Sequence, residues 1–202
     1  DDQYEMSRNI LSELYNMSAL NGRVEGSLIP YNIAFCYFKE GNYAAAKKWF
    51  NEYLGESSVK YRKDALERAA DCDFVANDHK AAAAAYDKVL KDYFNVNDIY
   101  PYYQAALSYG LSNNTQKKIE LLSNVMEASP SARFYPEAMF ELGRTYAVRE
   151  DDDNAFRCFN TLAAVVKDST FVAKAYVEMG SLARNQSQFN DALGYYKTVV
   201  EE

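Results

Sequence analysis

Residues 31–54 read YNIAFCYFKEGNYAAAKKWFNEYL. Within them Ala34 is followed twelve residues later by Ala46, and four residues after that by Phe50. The same triplet returns as Ala70, Ala82, Tyr86, then as Ala106, Lys118, Leu122, then as Gly143, Ala155, Phe159, and last as Gly180, Ala192, Tyr196. Successive copies are 36, 36, 37 and 37 residues apart. A fixed period of this length marks a chain of stacked units, none of which can bury its apolar face alone. Two small residues twelve apart let a pair of helices cross at close range, and the bulky residue fills the space beside the crossing. Apolar spacing is helical throughout and no alternating β-branched run occurs, so an all-α chain of antiparallel helix pairs is predicted.

Local chemistry sets the helix limits. Pro30, Pro101 and Pro136 sit where a first turn begins, a place where a missing N–H does no harm. Gly41, Asn77, Asn113 and the acidic run 150–153 fall between the two helices of a unit, where Asn or Asp caps the next helix. Helix pairs are predicted at roughly 28–40 with 43–55, 60–76 with 79–92, 98–112 with 115–128, 133–149 with 152–166, and 170–186 with 189–202. One period back from Ala46, Phe50 and Tyr53 lie Ile10, Leu14 and Met17, on one face of an opening helix at roughly 3–20. That register makes 1–26 the second helix of a truncated preceding unit plus a linker, and 27–202 five tandem units starting near 27, 63, 99, 136 and 173. An ordinary end cap is the alternative reading of the opening helix. The frame further predicts one solenoid domain cut from a longer protein, its uncapped end helices open to end-to-end self-association.

Ala34, Tyr37, Gly41, Tyr43, Ala46, Phe50 and Tyr53 fill the places that the tetratricopeptide repeat gives to small, aromatic, turn glycine, aromatic, alanine, aromatic and apolar residues. Leu66 and Val89, Tyr102 and Val125, Met139 and Leu162, and Tyr176 and Val199 extend the pattern through the later copies. Residues 27–202 resemble that family. Asp73 and Ala183 stand where an aromatic is usual, and Lys118 replaces an alanine. The resemblance implies a right-handed superhelical solenoid. Units longer than the usual 34 or so residues, together with the run SPSARFYPEAMFELGRTY, are similar to those of envelope-assembly lipoproteins and Tol-associated periplasmic coordinators. That narrower likeness implies a bacterial cell envelope or periplasm, with the cytoplasm as the alternative.

The 202 residues are 49% hydrophobic and 25% charged, too apolar for a disordered chain. A net charge of −7 with no basic stripe speaks against nucleic-acid binding. No apolar run has membrane-spanning length, so direct insertion by this segment is not expected. Cys36 and Cys72 share one slot of successive units, roughly a helix-packing distance of about 10 Å apart and beyond disulfide reach. With Cys158 they are expected to be three free, buried thiols. A lone histidine, His79, excludes paired-His metal sites. Ser57 to Lys60 matches a serine-x-x-lysine string but lacks its companion motifs. The acidic run 150–153 lacks the turn glycine and terminal glutamate of a calcium loop. Asn16, Asn113 and Asn185 begin N-x-Ser/Thr strings, which matter only in a eukaryotic secretory setting. No catalytic residue, metal or cofactor is expected.

Function is therefore sought on a surface. The resemblance implies that the first helices of the units line an inner groove. It assigns Tyr31, Phe35 and Phe38 in the first copy and Glu67, Asp71 and Phe74 in the second. Tyr100, Tyr103, Gln104 and Leu107 follow in the third, with Arg144 and Arg184 in the last two. Aromatic rings supply large contact area with few rotors to freeze, which suits a peptide or a partner helix. The family's carboxylate clamp of lysines and asparagines is absent, since its slots hold Tyr31, Phe35, Arg68, Tyr100 and Gln104. The expected function is a non-catalytic scaffold for another protein or peptide. A regulatory or sensory arm of a larger enzyme or signalling protein is the alternative.

Overall fold

The computed structural model describes residues 2–17, 28–55 and 60–201. The expected linker, the start of the first unit and most of the Ser57–Lys60 string lie outside these residues. Two compact units are present, 1–94 and 95–202. The first holds α1 (Asp2–Asn16), α2 (Ile29–Lys39), α3 (Tyr43–Gly55), α4 (Arg62–Val75) and α5 (His79–Asp92). The second holds α6 (Ile99–Leu111), α7 (Thr115–Ser123), α8 (Tyr135–Val148), α9 (Asp152–Val165), α10 (Ser169–Asn185) and α11 (Phe189–Glu201). Among the described residues there is no strand. Within the first unit α1 packs on α2, and each later helix packs on the one before it. Within the second unit the chain order of packing is the same, with α8 also touching α6 and α10.

One turn joins the two helices of every pair. Gly41, Asn77, Asn113, Glu150 and Ser187 all have left-handed backbone, with φ of 78°, 62°, 62°, 60° and 63°. The next residue's N–H then reaches back five residues: Asn42 to the Tyr37 carbonyl at 2.9 Å, Asn114 to Tyr109 at 2.8 Å, Gln188 to Ala183 at 2.9 Å. This closes the first helix with its last carbonyls satisfied. The same residue caps the second helix: the side chains of Asn42, Asp78, Asn114 and Asp151 accept from the N–H three residues on. Only the first copy uses glycine at the left-handed position. The others carry side chains there, which costs backbone energy.

The crossing of each pair is as tight as its small residues allow. Ala34, Ala46, Phe50 and Tyr53 have no exposed surface. A Cβ on Gly143 would lie 2.6 Å from Cε1 of Phe159, and one on Gly180 would lie 2.6 Å from Cε1 of Tyr196. Lys118, the lysine in an alanine slot, is accommodated from the other side. Its Cδ would be 2.9 Å from a Cβ on Gly110, and its Nζ donates to Glu141 Oε1 at 2.6 Å. Asp73, in an aromatic slot, is buried against Lys47.

The predicted helix 115–128 differs in detail. It ends as α-helix at Ser123 and continues as 3₁₀ turns over Asn124–Glu127. Ser123 Oγ donates to the Ile119 carbonyl at 2.8 Å and Asn124 Nδ2 to Glu120 at 2.9 Å. Side chains that bond nearby carbonyls compete with the α-ladder and tighten its last turn. Cys36, Cys72 and Cys158 are buried and unbridged.

Candidate protein-binding surfaces

In the first unit, α2 and α4 carry the candidate residues. Tyr31 and Phe35 are one turn apart and stack at 6.4 Å, with Lys39 Nζ 5.2 Å from the Phe35 ring centre. Phe38 meets Tyr43 and Phe50 edge-on at 5.3 and 6.4 Å. Tyr31 is also held from below by Phe50 and Tyr53 and stacked at 5.1 Å on Tyr61. Its hydroxyl donates to Asp64 Oδ2 at 2.6 Å. Burial first, and that bond second, push its pKa up.

On α4 the charges are arranged at helical spacing. The Arg68 guanidinium lies 3.7 Å from Asp64 and 3.9 Å from Glu67, contacts Asp71, and is 5.8 Å from the Phe38 ring centre. Lys63 Nζ is 3.6 Å from Glu67, and Asp71 accepts from the Tyr86 hydroxyl. Glu67 and Asp71 are thus buried inside an ion cluster. Burial raises the Glu67 pKa, with Lys63 and Arg68 opposing it. Tyr31, Phe38, Asp64, Glu67, Arg68 and Asp71 form one connected group. Phe74 stands apart and packs edge-on against His79 at 5.2 Å.

In the second unit the centre is Phe134, a residue that the repeat pattern does not single out. It has φ of 67° immediately before α8. Tyr100 lies 5.2 Å from its ring and Tyr103 is stacked 6.4 Å away. The Arg133 guanidinium covers the ring at 4.7 Å. A ring-bearing residue in left-handed backbone is an outlier that neighbours must hold in place. Burial, then Glu141 and Glu137, raise the Tyr103 pKa. Gln104 and Leu107 are half-buried on the same helix, α6.

Next along, Phe140 touches Phe159 at 5.7 Å and Phe171 at 6.2 Å, and Lys174 Nζ lies 4.9 Å from the Phe171 ring. Arg144 and Arg184 are exposed and have no ion-pair partner among the described residues. Clefts of about 250 and 300 Å³ also occur in this unit, and none of the candidate residues lines them. Among the described residues no group of three His, Cys, Asp or Glu side chains could hold a metal, and no helix is long and apolar enough to cross a membrane.

Antiparallel helix pairs that repeat this turn and this crossing define a class of all-α repeat protein. Residues 31–59 match the family model of the tetratricopeptide repeat, and the fold of the chain is that of tetratricopeptide-repeat solenoids. The C-terminal part of a TPR repeat-containing protein from Cytophaga hutchinsonii is similar with a TM-score of 0.77 at 16% identity, over 98% of this chain and 74% of that one. MamA from Desulfovibrio magneticus gives 0.70 at 16% identity, over 87% and 93%. YrrB, a TPR protein with an unusual peptide-binding site, gives 0.65 at 17% identity, over 86% and 84%. No curated protein sequence matches the chain.

Proposed function

We propose that this chain is a non-catalytic scaffold that binds a peptide or a helix of another protein through the faces of its first helices. The observation that carries this reading is the pair of half-exposed ring clusters, Tyr31 with Phe35 and Phe38 on α2, and Tyr100 with Tyr103 beside Phe134. Rings fixed by their neighbours lose little freedom when a partner covers them, which concentrates binding energy in a few residues. The fold is one whose members include a protein with a peptide-binding site.

The test is selection of peptides from a displayed library on the immobilised protein, followed by titration of the selected peptides. Phe35→Ala and Tyr103→Ala should each weaken binding about tenfold or more while the helical circular dichroism is unchanged. Tyr31 is the poorer probe, because its ring also supports Phe50 and Tyr53. Unchanged affinity in both variants would remove the assignment.

A further inference from the structure

One face of α8 stays open although the first helices on both sides of it are in place. α6 touches α8 on one side and α10 touches it on the other. Phe140, Arg144 and Val148 follow one another at single turns along this open face. Arg144 is exposed, and Val148, an apolar side chain, is 83% exposed.

The charges beside this face are sorted by side. Toward α6, Glu141 accepts from Lys118 Nζ at 2.6 Å, and Glu141 and Glu137 lie close enough to the Tyr103 hydroxyl to disfavour its ionisation. Toward α10, Lys174 Nζ lies 6.0 Å from the Phe140 ring centre and 4.9 Å from that of Phe171, and the two rings are 6.2 Å apart. Lys174 is exposed, as Arg144 is, and both rings are half-buried. Neither cation pairs with a carboxylate among the described residues, Glu178 one turn beyond Lys174 included. On α4, by contrast, Lys63 and Arg68 are held by Asp64, Glu67 and Asp71. A chain with 29 acidic and 22 basic residues has carboxylates to spare for its cations. Two cations left unpaired at the border of one pair of rings complement negative charge from outside the chain.

We propose that this face takes an acidic peptide. An apolar or aromatic side chain of the peptide lies against Phe140 and Phe171, and aspartates or glutamates on either side of it meet Arg144 and Lys174. This rests on the scaffold reading above and adds to it the chemistry of the partner and the two first helices that read it.

The probe is a displayed peptide library in three equal parts, selected on the intact immobilised chain. Each part carries random apolar residues, flanked by Asp and Glu in one, by Asn and Gln in the second, and by Lys and Arg in the third. The chain's net charge of −7 favours the basic part through long-range attraction. The proposal predicts recovery of the acidic part instead. The best acidic peptide, titrated by fluorescence anisotropy, should bind the Arg144→Glu, Lys174→Glu double variant at least about tenfold more weakly. Arg144→Glu alone, which leaves Lys174 on its rings, should cost about threefold. Lys80→Glu with Lys88→Glu makes the same change of net charge on exposed residues of α5 and should leave affinity within about twofold. Recovery chiefly of the amide or basic part, or equal binding by the wild type and the Arg144→Glu, Lys174→Glu variant, would overturn the proposal. If Phe35→Ala and Tyr103→Ala weaken the bound peptide and the charge reversals do not, the acidic-peptide assignment falls and the scaffold reading stands. If no peptide from any part binds, both fall.

Discussion

The left-handed residue of each inter-helix turn shows how one backbone requirement is met at five positions by four residue types. Glycine meets it without penalty at position 41, asparagine cheaply at 77 and 113, and Glu150 and Ser187 at the cost of a crowded Cβ. Glu150→Gly should therefore raise unfolding free energy by up to about 1 kcal/mol, less the added freedom of the unfolded chain, measured by urea denaturation. The requirement for small residues at the crossings works in the opposite sense. Gly143→Ala sets a Cβ 2.6 Å from the Phe159 ring and should cost about 1–3 kcal/mol. Combining it with Phe159→Leu should give less than the sum of the two single losses. Glu67 is a third case. Burial lifts its folded-state pKa above the unfolded value, so its contribution is favourable below the unfolded pKa and is lost as pH rises through the folded one. Glu67→Gln should then leave stability at pH 7 equal or higher, and the difference should vanish below about pH 4. A marked loss at pH 7 would show that the Lys63 and Arg68 contacts outweigh burial.

At the scale of the helix pair, most of the architecture was legible because the code is redundant. The small residues, the bulky residue beside the crossing and the turn signal recur in each copy, so loss of one signal does not hide the unit. The third unit shows this: Lys118 breaks the alanine rule, and Gly110 on the facing helix makes room for its stem. What spacing did not reveal was the early end of α7 at Ser123, decided by side-chain bonds to carbonyls that only the final geometry sets. The α4 ion cluster could have been found in advance. Lys63 with Glu67, Asp64 with Arg68, and Arg68 with Asp71 sit at the three- and four-residue spacings that pair on a helix. Its consequence for Glu67 and Asp71, burial, follows from tertiary packing and not from spacing. The buried thiols give an independent check of the pair interiors. Burial pushes Cys72 up to about 12 and Cys158 to about 11, so little thiolate is present at pH 8. Ellman's reagent should react slowly or not at all with the native protein and label three thiols in guanidinium. Fast native labelling would show that the helix pairs open readily.

For the whole molecule, composition narrowed the expectations but named no partner. An acid excess and a single histidine describe the composition of the surface, and the repeat describes only how the surface is built. Phe134 illustrates the gap. Its place in the second unit's ring cluster depends on a left-handed backbone that no periodicity encodes, whereas Tyr100 and Tyr103 follow from their slots in the unit. The cations are also paired in a way that residue counts conceal. Arg8, Lys63 and Arg68 of the first unit and Lys117 and Lys118 of the second face carboxylates, while Arg144 and Arg184 have none among the described residues. Hydrogen–deuterium exchange of the intact chain, with and without a saturating selected peptide, tests the binding claim most directly. Added protection should concentrate in the first helices, α2 and α4 of one unit or α6, α8 and α10 of the other. Protection confined to the second helices, or none at all, would contradict it.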